Sequence, residues 1–104
     1  MEIKAGDIVF SKAGRDKSSY FVVMRLSDDS SYAYICDGRK RKTDRPKYKK
    51  IKHLGLGMGF SEFISGKIES GDKVTNTELR TELAGYNSAK DAPLLSKEKA
   101  AGSD

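Results

Sequence analysis

Nine lysines and arginines lie between Arg39 and Lys52, in the stretch DGRKRKTDRPKYKKIKH that runs from Asp37 to His53, and Asp44 is the one acid among them. The chemistry open to such a run is anion binding. Ammonium and guanidinium groups donate charge-assisted hydrogen bonds to phosphate oxygens and release condensed counterions as they do so. A block of like charge is most often a solvated or extended tail. Here Pro46 and Tyr48 interrupt the block, Ile51 and Leu54 close it, and Asp37-Gly38 opens it as a turn behind a strand-like run, which places it on a folded surface. So many cations exceed what protecting a sheet edge needs, and they repel one another unless an anion compensates, so nucleic acid is the expected partner.

Other chemistry finds little support in the residue types. Cys36 is the single cysteine and His53 the single histidine, with no second thiol or imidazole to complete a zinc set. Cys36 reads as a buried, reduced side chain in a strand. Asp16, Asp28, Asp29, Asp37 and Asp44 are scattered through turn-like segments, where aspartate caps local backbone, and none makes a general acid and base pair. The glycine-rich LGLGMGF at Leu54–Phe60 lacks the spacing of a phosphate-binding loop. No catalytic residue, metal, cofactor or small-molecule substrate is expected, and the chain reads as a binding protein rather than an enzyme.

The positive charge is local. Residues 1–53 hold 14 Lys/Arg and 7 Asp/Glu, whereas residues 54–104 hold 6 and 8, so the total of +5 is the sum of a basic half and a slightly acidic one. No apolar run has the length of a membrane span, and the N-terminus is patterned like a strand rather than a signal peptide. A cytoplasmic protein with no membrane partner is expected. At 104 residues and 37% hydrophobic content, the chain has room for one small domain and an appendage, and little room for a deep cavity.

The elements that must carry these residues change character along the chain. Asp7–Ser11 (DIVFS), Tyr20–Leu26 (YFVVMRL) and residues 31–36 (SYAYIC) are rich in β-branched and aromatic side chains and are separated by polar or glycine-containing turns. A final strand is expected over residues 48–54. Alternation there would send Tyr48, Lys50, Lys52 and Leu54 to one face and Lys47, Lys49, Ile51 and His53 to the other, and charge on both faces marks an edge strand. Strands this short are best buried by curling into a small barrel spanning residues 1–54. Residues 55–60 then read as a flexible glycine-rich hinge. Beyond them Ile64 and Ile68 recur at helical spacing, with Ser61 as N-cap and Gly71 as terminator. Thr75 and Glu78 form a capping box, Val74 and Leu79 a hydrophobic staple, and Gly85 is expected to end the second helix. Residues 61–86 thus form an αα-hairpin that needs a docking surface, and residues 87–104 a disordered tail.

The stretch GDIVFSKAGRDKSSYFVVMRL, Gly6 to Leu26, resembles the KOW motif: alternating apolar residues, a central glycine, a charged loop and a second alternating strand. With the continuation YICDGRKRKTDRPKYKKIKHL, the first half of the chain is similar to bacterial KOW-domain RNA-binding proteins related to an archaeal and eukaryotic family of ribosomal proteins. The resemblance implies an SH3-like β-barrel and RNA as partner, ribosomal RNA first, with ribosomal proteins as further neighbours. It makes Gly14 the signature glycine, so that Gly14, Asp37 and Gly38 are structural loop residues. On this basis Lys12, Arg15, Lys17, Arg39, Lys40, Arg41, Lys42, Arg45, Lys47, Tyr48, Lys49, Lys50 and Lys52 are the expected RNA contacts, gathered at one rim. The alternative function is a protein-interaction adaptor barrel of translation or transcription, whose basic rim meets an acidic protein surface.

Overall fold

The computed structural model describes residues 3–14 and 19–91. In chain order they form β1 (Asp7–Ser11), β2 (Tyr20–Leu26), β3 (Tyr32–Cys36), β4 (Lys47–Lys50), a 3-10 turn (Ile51–His53), β5 (Leu54–Phe60), α1 (Glu62–Ser70) and α2 (Asn76–Asp91). Neighbouring strands are antiparallel and the sheet order is β4-β3-β2-β1-β5. The architecture is mainly β, with two C-terminal helices.

The expected closed barrel is not formed by hydrogen bonding. β4 and β5 are the two edges and no ladder joins them, because the 3-10 turn between them closes its backbone locally, with Leu54 N–H donating to the Ile51 carbonyl. The sheet still curls. Lys49 on β4, three strands away from β1, donates its ammonium to the carbonyl of Ala13 at 2.5 Å, and the Lys12 amide donates to the His53 carbonyl at 2.9 Å. Register shifts between Ile8 and Phe10 and between Val23 and Arg25 supply the bends.

Curling buries one face of the sheet against itself. Val9, Phe21, Val23, Ala33, Ile35 and Leu54 form this inner core, flanked by Ile3, Leu26, Ile51 and Leu56. The alternate residues Ile8, Val22 and Cys36 point to the outer face, where Ile64 of α1, Leu79 and Leu83 of α2, and Val74 between the helices cover them. The 3-10 turn breaks the alternation expected over residues 48–54, so Ile51 and Leu54 both reach the inner core.

Residues 55–60 are strand rather than hinge. β5 pairs along β1, with Gly59 opposite Ile8 and Gly55 opposite Phe10. Glycine lowers strand propensity, which hid the element, yet here its missing side chain is used. A Cβ on Gly59 would collide with the Tyr86 hydroxyl. The sheet therefore extends to Phe60, beyond the boundary expected at Leu54.

Both helices begin as the sequence signals say. Ser61 Oγ accepts from the Ile64 amide at 3.1 Å, and Gly71 ends α1 in the left-handed conformation. The Glu78 amide donates to Thr75 Oγ1 at 3.1 Å while Glu78 Oε1 accepts from the Thr75 amide at 2.9 Å, completing the capping box. α2 runs past Gly85 to Asp91, since a glycine costs a helix only about 1 kcal/mol and packing overrides it. That packing includes Asn87, expected in the tail. Its amide is buried and spans the backbone of Tyr20, accepting from the amide at 3.1 Å and donating to the carbonyl at 3.2 Å. The rest of the expected tail, residues 92–104, lies outside the described residues.

Ile64, Val74, Leu79 and Leu83 are buried to within a few per cent, and at roughly 1.5–3 kcal/mol each their burial rivals the whole stability of a small domain. A fragment ending at Leu54 loses β5 and this cover together, so it should lose cooperative unfolding and β-type circular dichroism; a cooperative melt in that fragment would contradict the packing.

Cys36 is fully buried, and burial first, with Asp37 and Asp44 adding repulsion, pushes its thiol pKa up to about 12. Labelling by a thiol reagent at mildly alkaline pH should therefore proceed only as fast as the protein opens, and should become immediate in denaturant.

Candidate nucleic-acid interface

The basic segment between β3 and β4 is held by its own backbone. Asp37 Oδ1 accepts from the amides of Arg39 and Arg41 at 2.9 Å each, and the Asp37 and Gly38 amides both donate to the Arg41 carbonyl. The Arg45 amide donating to the Lys42 carbonyl folds the second half of the loop.

The start of α2 fixes this loop from outside. Asn76 Oδ1 accepts from the Thr43 amide at 2.9 Å, and Arg80 donates to the Gly38 carbonyl at 2.7 Å. Gly38 is required by contact, since a Cβ there would strike the Asn76 carbonyl. Asn76 and Arg80 carry no expectation from the sequence, because the loop that they support is about 40 residues away along the chain. The Asn at a helix start was the one available signal.

The cations fall into different environments. Lys12, Arg39, Lys40, Lys42, Arg45, Lys50 and Lys52 are exposed, and Arg41 and Lys47 are half-buried. Lys49 is only 8% exposed. Because it pairs with Ala33, which faces the inner core, its side chain turns inward to Ala13 rather than outward to a ligand. The expected RNA contact at Lys49 is thus a structural tie. Gly14 has φ +86, which suits glycine, and a Cβ on it would crowd the Lys49 ammonium at 2.9 Å. The Lys12 amide bonds the His53 carbonyl, which sets its backbone beside the 3-10 turn that carries Lys52. Arg15 and Lys17 lie outside the described residues.

Tyr48, an expected RNA contact, lies on the outer face of β4 in a cluster with two further tyrosines that carried no expectation, Tyr32 and Tyr34. Arg25, Tyr34 and Tyr48 are register partners across β2, β3 and β4, and Tyr32 pairs with Lys50. Tyr32 and Tyr48 stack with centroids 4.4 Å apart and planes at 2°, Tyr34 tilts against Tyr48 at 4.8 Å, and the Arg25 guanidinium lies over Tyr34 at 4.2 Å. Tyr48 remains 49% exposed. Among the described residues, the helix side chains that cover the outer face pack on Ile8, Val22 and Cys36 rather than on these tyrosines. The i, i+2 tyrosines of SYAYIC, which strand geometry puts on one face, were the available signal.

Lost hydration beside the neighbouring rings raises the Tyr48 phenol pKa, with the charges of Asp29 and Asp28 adding to it, so the phenol stays a neutral donor. Asp29 is held below its usual range, first by the Ser31 amide and then by the Ser27 hydroxyl, which makes it a turn-capping carboxylate. Among the described residues, no helix is long and apolar enough to cross a membrane.

Replacing Lys49 by Met removes a buried charge-assisted bond and should destabilise the protein by about 1–2 kcal/mol in urea unfolding, whereas Lys50→Met on the exposed face should be near neutral; equal effects would show that the ammonium of Lys49 is not a structural tie.

The chain matches no protein-family model, and no curated protein matches it.

Proposed function

We propose that this chain is a non-enzymatic RNA-binding protein of the KOW type that grips RNA phosphates with the basic segment between β3 and β4. The observation that carries the reading is the state of the cations. Lys40, Lys42, Arg45, Lys47, Lys50 and Lys52 make no ion pair among the described residues, although the loop is anchored by Asp37, Asn76 and Arg80. Fixed, unneutralised positive charge raises the local potential, and a polyanion relieves it.

An SH3-like barrel is the finer reading of the fold. Its support is a five-stranded meander whose last strand returns to the first, bends at two register shifts, and encloses its own core. Ribosomal RNA in the cytoplasm, with ribosomal proteins as neighbours, follows from the KOW resemblance of Gly6 to Leu26. In this reading the helices are a brace: α2 covers the outer face of β2 and holds the basic loop in place.

The test replaces Lys40, Lys42 and Arg45 together by Gln and measures RNA affinity across a salt series. Binding should weaken, and the plot of log affinity against log salt should become shallower by about two, at roughly 0.7 per lost phosphate contact. Unchanged affinity and slope in a folded triple variant would remove RNA phosphates as the partner of this loop, and an acidic protein surface would take their place.

A further inference from the structure

The tyrosine face of β3 and β4 has no part in phosphate binding as such, yet it adjoins the basic segment. We propose that it is a stacking site for unpaired bases, so that the RNA bound is single-stranded where it crosses β4. This inference rests on the RNA reading above and specifies the form of the RNA.

The geometry points there in three ways. First, Tyr32 and Tyr48 already form a parallel stack at 4.4 Å, and a planar base extends such a stack as its next layer. Second, Tyr32 lines an open cleft of about 440 Å³ whose other walls are Ser31, Lys50, Ile51 and Lys52. A base against Tyr32 there would set its phosphate beside two exposed lysines. Third, the charge is polarised. Asp28 and Asp29 line the cleft on the other side of the stack, with Arg25, Tyr34 and Tyr48, and would repel a phosphate backbone. The strand is thereby directed toward Lys50 and Lys52. Bases stacked inside a duplex do not offer their faces, whereas unpaired bases do, and aromatic platforms beside a basic groove take them with little sequence preference.

The experiment measures anisotropy of a labelled uridine oligomer of about ten nucleotides and of a blunt RNA duplex, with the full chain and with Tyr32→Leu and Tyr32→Phe. Leucine keeps apolar bulk on the strand and removes the aromatic face; phenylalanine keeps the face. Tyr32→Leu should weaken oligomer binding about tenfold, the order expected for one lost stack, with its salt slope and duplex binding unchanged, and Tyr32→Phe should bind as wild type. The chain has no tryptophan, so its emission is tyrosine emission, and the oligomer should quench it in wild type more than the duplex does. If Tyr32→Leu is well folded and binds the oligomer as wild type does, the stacking site is overturned while phosphate binding stands. If wild type binds neither RNA, the RNA reading falls and the stacking site with it. A wild type that binds duplex and oligomer with equal affinity and equal quenching also overturns the proposal.

Discussion

A sheet of five short strands has two apolar faces, and at this chain length neither can be left to water. The structure meets that constraint twice over. One face is buried by bending the sheet around Phe21, Val23 and Ile35, and the other by laying two helices over Val22, Ile8 and Cys36. β2 is therefore sealed on both sides through its middle, and every other element is positioned relative to it. The curled side is tied from the edge strand β4 to the segment that follows β1, and Lys49 supplies the tie through the Ala13 carbonyl.

The covering helices do more than exclude water. α2 starts where the basic loop turns, and the Asn76 and Arg80 side chains complete hydrogen bonds that the loop backbone would otherwise offer to solvent. At its other end the Asn87 amide does the same for Tyr20. Packing of Leu79 and Leu83 thus couples core formation to the conformation of the charged segment. A mutation in the helix core should disturb the loop as well as stability, since they share one element.

Cover is also incomplete, and the gap has a sharp edge. Leu79, Leu83 and Ile64 reach as far as Cys36 on β3, while Tyr34 and Tyr32 lie beyond the helices on the same face of the strand. Aromatic rings tolerate this half-wet position because they pack against one another and against Arg25. The exposed cations thus border a surface of rings rather than a surface of aliphatic side chains.

Much of this was legible from local signals. Period-two runs fixed β1 and β2 at Asp7–Ser11 and Tyr20–Leu26, and cap residues fixed the starts of both helices, because such preferences act within a few residues of chain. The density of cation after Asp37 and the burial of Cys36 were legible for the same reason. Contacts between distant residues decided the rest. Gly55 to Gly59 looked like a hinge until they paired along β1 and Tyr86 took the space beside Gly59, and Gly85 looked like a stop until Asn87 found Tyr20. Lys49 and Lys50 are the same residue type at adjacent positions, but only the sheet's inside and outside make one a structural tie and the other an exposed charge. Sequence determined how much charge and apolar surface this protein carries and in which local elements; tertiary structure decided which faces meet, because that depends on groups up to 67 residues apart competing for one another instead of water.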